Sequence, residues 1–147
     1  MSAIDDLLRR RRAGLDRLEP GDAHAAHGSG ALLVDTRPVV NRAAEGVIPG
    51  AVVIDRNVLE WRLDPTSPDR IPEAADADLH VILFCNEGYA SSLAAAQLRE
   101  LGLRRATDMV GGFRAWVASG LPVEQGEATG WPGLPDYSSH TRIRTAG

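Results

Sequence analysis

The residue with the clearest capacity for chemistry is Cys85, which stands between an apolar run and a helical pattern. The apolar run at residues 80–84 predicts a buried strand, and the pattern at residues 91–101 predicts a helix. A thiol in the connecting loop faces the start of that helix, where unpaired N–H groups and the helix dipole favour negative charge. Gly88 lets the loop curl so that successive N–H groups surround an anion. This position therefore favours a reactive thiolate.

A structural interpretation of Cys85 is also open, because a free cysteine is often only a small buried hydrophobe. Spacing alone does not decide between the two interpretations. His24 and His27, three residues apart, would form at most half of a metal site, since no further ligand stands nearby in the sequence. We therefore expect no metal and no other cofactor.

Strands and helices alternate along the chain, and this order indicates which residues meet. Apolar runs predict strands at residues 32–34, 51–54, 80–84 and 107–110, and helical patterns occur at residues 3–17, 22–27, 38–45, 57–63, 91–101 and 113–119. The alternation predicts an α/β fold with a mostly parallel sheet and helices on both faces. In such sheets the chemistry gathers at the carboxyl ends of the strands, where Asp35, Arg56 and Cys85 stand.

Composition narrows the classes of function. The chain of 147 residues carries a net charge of -4, which gives no reason to expect nucleic acid as a partner. All of its basic residues are arginine, so a lysine Schiff base is excluded. A single cysteine allows neither an internal disulfide nor a cysteine-based zinc cluster, and we expect a cytoplasmic setting. We expect no secretory signal and no contact with a membrane, since no segment has the ~20 apolar residues of a span.

Four segments of the chain resemble the signatures of the rhodanese-like domain family. They are LLVDTRP at residues 32–38, EGVIPGAVVI at 45–54, VILFCNEGYASSLAAAQL at 81–98 and GGFRAWVASGLPV at 111–123. Their order and spacing follow the family, and the resemblance divides the chain into three parts. Residues 1–17 would form an N-terminal helix extension, residues 18–123 the rhodanese-like domain and residues 124–147 a C-terminal tail.

The resemblance implies a mostly parallel five-stranded sheet and a sulfurtransferase in which Cys85 is the catalytic residue. The thiolate would take a sulfane sulfur from a small donor, thiosulfate or 3-mercaptopyruvate, and hold it as a persulfide. The acceptor would be a thiol, a protein or cyanide. Asp35 and Arg37 would brace the first strand and its loop. The substrate would be bound by Arg56 and by the loop residues Asn86, Glu87, Gly88, Tyr89, Ala90 and Ser91.

The loop departs from the family pattern in its charge. Many sulfurtransferase loops carry an arginine five residues after the cysteine, where this chain has Ala90, and its one charged residue is Glu87. A carboxylate ~6 Å from the sulfur, at an effective dielectric of ~20, would oppose the thiolate by roughly 2–3 kcal/mol. We therefore predict that Glu87 points outward or that thiosulfate is a poor donor. Arg56 is a candidate for holding the anionic end of the donor; the alternative is a surface arginine paired with Asp55, Glu60 or Asp64.

Two other functions stay open. A non-catalytic rhodanese-like module that binds a protein partner or a small anion is compatible with the acidic loop. A phosphatase or arsenate reductase is disfavoured, because such members of the family close a longer loop with an arginine. Here Ser91 stands at that position, and no arginine occurs between Cys85 and Arg99. Trp131 and Tyr137 suggest that the tail docks on this domain or on a neighbour, which is compatible with a homodimer.

Overall fold

The computed structural model describes residues 1–126 of the chain. The predicted tail therefore lies outside the described residues from residue 127 onward, together with Trp131 and Tyr137. Helices and strands alternate as the apolar runs predict. The helices are α1 (Ala3–Arg12), α2 (Pro20–Gly28), α3 (Val39–Glu45), α4 (Leu59–Leu63, preceded by a 3-10 turn at Arg56–Val58), α5 (Ala90–Glu100) and α6 (Gly112–Ala118), and the strands are β1 (Leu32–Asp35), β2 (Val52–Val53), β3 (Val81–Phe84) and β4 (Thr107–Asp108).

These strands form one parallel sheet in the order β2-β1-β3-β4. The central pair, β1 and β3, runs in register from Leu32 opposite Val81 to Asp35 opposite Phe84. Parallel neighbours need a crossover between them, and the helices supply it. The α/β fold with a parallel sheet, predicted from the sequence, is confirmed.

The fifth strand is reduced, within residues 1–126, to a single parallel bridge between Leu18 and Met109. The N–H of Leu18 donates to the carbonyl of Asp108 at 3.0 Å, and its carbonyl accepts from Val110 at 2.8 Å. The pairing ends there because Pro20, which has no N–H, begins α2. The predicted sheet of five strands is therefore one of four strands with a bridge at the β4 edge.

Helices cover both faces of the sheet, because successive strand residues point to opposite sides. Val34 and Leu83 pack on one face with residues of α4 and α5. Leu33 and Ile82 pack on the other face with residues of α2 and α6. All residues of β1 and β3 are buried, which explains why both strands are apolar throughout except for Asp35 at the end of β1.

Helix α1 packs mainly against α5. Ser2 and Asp5 form a capping box at its start, and arginines fill its last turn, where positive charge is favourable. The helix was expected to reach residue 17, but it ends at Arg12, just before Gly14, a residue with low helix propensity. The residues that follow lead back to the edge of the sheet at Leu18.

The carboxyl ends of β1 and β3 lie side by side, since Asp35 pairs with Phe84. Thr36 ties the two ends together, because its N–H and its hydroxyl both donate to the carbonyl of Phe84, at 3.1 and 3.0 Å. Cys85 is the next residue. The expected gathering of Asp35 and Cys85 at one edge of the sheet is therefore observed.

Candidate active site

Cys85 is half-buried, and its thiol has two polar neighbours. The N–H of Gly88 donates to its sulfur at 3.2 Å, and the hydroxyl of Ser91 lies 3.3 Å from it. Within residues 1–126, one loop amide, the N–H of Gly88, forms a hydrogen bond with the sulfur. The sulfur is thus neither sealed in the core nor left without donors.

Glycines allow this loop to lie directly on the start of α6. Gly88 has φ +89°, and a Cβ there would stand 2.7 Å from the nitrogen of Gly111. Gly112 has φ +63°, and its Cβ would stand 2.5 Å from the carbonyl oxygen of Cys85. Both positions need the backbone freedom of glycine and the absence of a side chain. Two N–H groups of α6, those of Phe113 and Arg114, then hold the carbonyls of Cys85 and Asn86, at 2.8 and 3.1 Å.

A buried carboxylate lies beneath the loop. Asp108, at the end of β4, is fully buried and accepts from the hydroxyls of Ser91 and Ser92 at 2.8 and 2.9 Å. Arg17 balances its charge, with Nε 2.8 Å from one carboxylate oxygen. Sequence analysis missed Asp108, although it stands at the same carboxyl edge as Asp35 and that position could have indicated it.

Ser91 can serve the sulfur in both protonation states. In the thiol form, the S–H donates to the hydroxyl oxygen of Ser91, which donates its own proton to Asp108. When the sulfur is ionised, Ser91 can turn its proton toward the sulfur, because Ser92 still donates to the same oxygen of Asp108. The arrangement therefore offers an anionic sulfur a hydroxyl donor in addition to the N–H of Gly88.

The charged loop residue is exposed and paired with a cation. Glu87 is 54% exposed in its side chain and pairs with Arg114 at 3.0 Å. The side-chain amide of Asn86 donates to Glu45 at 3.1 Å. Burial alone would raise the pKa of Glu45, but hydrogen bonds from Asn41, Arg114 and Asn86 hold that pKa below its usual value. The sequence leaves two alternatives, an outward-pointing Glu87 or a poor reaction with thiosulfate. The exposed, paired side chain of Glu87 favours the first.

We expect Glu87→Gln to change the rate of thiosulfate turnover by no more than about threefold, since an exposed carboxylate beside a guanidinium has little net field at the sulfur. The measurement is the rate of sulfite release at low and at high salt. Glu73→Gln, which removes an exposed carboxylate outside the loop, is the matched control. A tenfold or greater increase in rate, as a rough threshold, would show that Glu87 repels the donor despite Arg114.

A cavity of about 360 Å³ opens at the mouth of the loop. Arg56 lines this cavity, as expected for a residue that binds the donor. Arg56 also forms an ion pair with Glu60 at 2.8 Å, as expected for a surface arginine. Arg62 lies elsewhere, buried, and donates to the carbonyl of Asp69. The lining residues of the cavity are Thr36, Arg37, Pro38, Arg56, Cys85, Asn86, Glu87, Tyr89 and Ala90.

Asp35 and Arg37 form a buried ion pair beside this cavity. Their oxygen and nitrogen lie 2.8 Å apart, and neither side chain is more than 1% exposed. Arg37 also donates to the carbonyl of Gly46 at 2.7 Å, and its guanidinium lies 3.8 Å from the ring centroid of Phe113. The pair therefore ties the loop after β1 to the end of α3 and to α6.

The two histidines of α2 have structural contacts. His24 meets the ring of Trp116 edge-on at 5.3 Å, and His27 Nδ1 lies 3.1 Å from the carbonyl of Ala31. Within residues 1–126, no group of three metal-ligating side chains is present, and no helix is both long enough and apolar enough to cross a bilayer.

The parallel sheet and the donor-lined thiol at its carboxyl edge define a class of protein, a small α/β protein that presents one cysteine as a nucleophile. The comparisons with known proteins agree with this class. The model of the rhodanese-like domain family matches residues 19–119. The chain belongs to the rhodanese-like domain family.

Individual relatives make the similarity more specific. The thiosulfate sulfurtransferase GlpE of Stutzerimonas stutzeri is 36% identical over 100 residues, which cover 68% of this chain and 83% of the relative. The GlpE of Glaesserella parasuis is 43% identical over 96 residues, which cover 65% of this chain and 80% of the relative. These relatives confirm the sulfurtransferase class of enzyme that was predicted from the sequence.

A solved structure from Rhodopseudomonas palustris is also similar, with a TM-score of 0.75 and 32% sequence identity. The match covers 84% of this chain and 96% of that one. That protein is described as one of unknown function and a possible tyrosine phosphatase.

Proposed function

We propose that this chain accepts a sulfane sulfur from thiosulfate or 3-mercaptopyruvate, carries it as a persulfide on Cys85 and delivers it to a thiol, a protein or cyanide. The observation that carries the proposal is the position of Cys85, a half-buried residue that lines the cavity and whose sulfur accepts the N–H of Gly88 and lies 3.3 Å from the hydroxyl of Ser91. An anionic sulfur is stabilised by such donors before and after it takes up a second sulfur.

The reaction consists of two displacements at sulfur. In the first, the thiolate of Cys85 attacks the outer sulfur of thiosulfate, a new S–S bond forms, and sulfite leaves with the electrons of the broken S–S bond. In the second, the acceptor attacks the outer sulfur of the persulfide, and the thiolate of Cys85 leaves. Cyanide then becomes thiocyanate, and a thiol becomes a persulfide. The enzyme ends each cycle in its starting state.

We further propose that residues 86–91 serve the substrate mainly through their backbone. The side chains of Asn86 and Glu87 are engaged by Glu45 and Arg114, so they are directed away from the reacting sulfur. Gly88 contributes its N–H, while Tyr89 and Ala90 line the mouth of the cavity. Tyr89 and Ala90 suit the carbon skeleton of a thiol acceptor, and Arg56 stands at the same cavity for an anionic donor.

The test is a donor screen read by intact mass. Wild-type protein incubated with thiosulfate or with 3-mercaptopyruvate is expected to gain the mass of one sulfur atom, and cyanide is expected to remove it. Since the chain has one cysteine, the gain reports on Cys85 alone. No gain with any donor would favour the non-catalytic module instead. Turnover of an aryl phosphate would favour a phosphatase, which Ser91 at the clamp position speaks against.

Arg56 is proposed to hold the anionic end of the donor at the mouth of the cavity. We expect Arg56→Ala to raise the KM for thiosulfate by roughly two- to fivefold with little change in kcat, because an exposed charge contributes at most about 1 kcal/mol. Steady-state rates of sulfite release give both constants. Arg104→Ala, which removes an exposed arginine far along the sequence from the loop, is the control. An unchanged KM would show that Arg56 does not bind the donor and only forms its surface ion pair with Glu60.

The remaining proposals concern the setting of the reaction. The rhodanese-like domain at residues 18–123 carries the activity, with residues 1–17 as an N-terminal extension and residues 124–147 as a tail. We propose a cytoplasmic protein with small-molecule and thiol partners and without nucleic-acid or membrane partners. The single cysteine and the mild net charge of -4 support this setting. A homodimer is compatible with it, and light scattering of the full chain would test that state.

A further inference from the structure

Two arginines of the N-terminal segment reach the loop of Cys85 from beneath. Nη2 of Arg12 donates to the carbonyl oxygen of Gly88 at 2.8 Å, and Nη2 of Arg17 donates to the same oxygen at 3.0 Å. The hydroxyl of Ser92 lies 3.3 Å from the same oxygen but is closer to Asp108, at 2.9 Å, so the two guanidinium groups can occupy both lone pairs of the carbonyl. The family match begins at residue 19, and both contacts therefore come from outside it.

The contact fixes the direction of one peptide group in the loop. Because a trans peptide is planar, the N–H of Tyr89 points opposite to the carbonyl of Gly88. While the arginines hold that carbonyl, its negative end stays on their side of the loop. The preceding N–H, that of Gly88, is the one that reaches the sulfur of Cys85, at 3.2 Å. A flip of the peptide between Gly88 and Tyr89 would break both guanidinium contacts.

The same arginines also place charge beneath the loop. Arg17 is balanced by Asp108, at 2.8 Å. Arg12 donates its Nε to the neutral hydroxyl of Ser92 at 2.9 Å, and no carboxylate of residues 1–126 lies within ion-pair distance of it. One positive charge is therefore unbalanced behind a loop whose own charged residue is the acidic Glu87.

We propose that Arg12 and Arg17 are positioning residues for the Cys85 loop. They hold the carbonyl of Gly88 away from the sulfur, and Arg12 supplies from beneath the positive charge that the loop itself lacks. The N-terminal extension is then part of the sulfur site and not an appendage to the domain. The inference rests on the proposed function only in taking Cys85 as the sulfur carrier.

The test measures the nucleophilicity of Cys85 without a sulfur donor. Wild type and variants react with iodoacetamide, and intact mass follows the single cysteine across a pH series. We expect Arg12→Gln to slow alkylation near neutral pH by roughly tenfold, and Arg12→Lys to restore the rate to within about threefold of wild type. The difference should vanish at strongly alkaline pH, where every variant has an ionised thiol. The other charged groups around the site are unchanged in these variants; they are Arg17, Asp108, Asp35, Arg37, Glu45, Arg56, Glu87 and Arg114.

Arg10→Gln is the matched control, since Arg10 lies on the same helix, is exposed and pairs with Asp6. It should leave the alkylation rate unchanged. A second variant, Arg17→Gln combined with Asp108→Asn, removes the other donor while keeping the buried charge balanced, and we expect slower alkylation there also.

Two results would overturn the proposal. One is a wild-type alkylation rate in Arg12→Gln at an unchanged Tm. The other is a lowered Tm without slower alkylation, which would assign Arg12 to helix docking alone. A chain that fails the donor screen can still show the expected alkylation rates, so failure of the proposed function is distinguishable from failure of this inference.

Discussion

Replacing Cys85 with serine should abolish sulfur uptake: intact mass shows no gain with thiosulfate or 3-mercaptopyruvate, and turnover falls by roughly 10⁴-fold or more. The chain has one cysteine, so no second thiol can substitute for it. A serine hydroxyl at this position is neither appreciably ionised near neutral pH nor a nucleophile that attacks sulfur readily. The measurements are intact mass after incubation with the donor and the rate of sulfite release.

The control for Cys85→Ser is a measurement of its thermal stability. The sulfur of Cys85 accepts the N–H of Gly88 and contacts Ser91, and a serine oxygen can make the same hydrogen bonds. We therefore expect Cys85→Ser to keep the wild-type Tm within a few degrees, as for a substitution that leaves no buried polar group unpaired. Sulfur transfer retained by a folded Cys85→Ser protein would contradict the proposed mechanism outright.

Removing one partner of the buried pair between Asp35 and Arg37 should have the largest effect on stability. We expect Arg37→Met to lower the free energy of unfolding by about 3–5 kcal/mol, because it leaves the carboxylate of Asp35 buried without its counter-ion. It also removes the hydrogen bond to the carbonyl of Gly46 and the contact with the ring of Phe113. Urea denaturation followed by circular dichroism gives this free energy.

An exposed pair provides the comparison. Arg104 pairs with Asp78, and their side chains are 72% and 57% exposed. Arg104→Met should therefore change the free energy of unfolding by less than about 1 kcal/mol. If Arg37→Met costs no more than this control, the pair does not brace the first strand, and the proposed supporting role of Asp35 and Arg37 is wrong.

The parts of the site that local sequence predicts are those whose neighbours stand close along the chain. The apolar run before Cys85 predicts a buried strand, and the helical spacing after it predicts α5, so the loop between them had to present its thiol near a helix start. Gly88 stands within six residues of the end of the predicted strand, of Cys85 and of the start of the predicted helix. The parallel sheet also places Asp35 and Cys85 at one edge, because all strands of a parallel sheet end on the same side, whereas their direct adjacency follows from the strand order β2-β1-β3-β4.

Orientation was harder to predict than position. The sequence places Glu87 in the loop but does not say whether its carboxylate faces the sulfur, since Arg114, its partner, stands 27 residues away. Arg56 was predicted to meet either a donor or a surface carboxylate, and the fold brings it to both the cavity and Glu60. The direction of such a side chain and the partner that it contacts depend on which helices pack against each other.

The amino-acid sequence by itself determined the strand, the loop and the thiol, because hydrophobic periodicity, glycine and a helix start act over a few neighbouring residues. Only the tertiary structure decided what lies beneath the loop. Asp108 is 17 residues from Ser91, and Arg12 is 76 residues from Gly88. Their contacts exist because α1 packs on α5 and the last strand ends beside β3, and a side chain's charge acts through space and not along the chain.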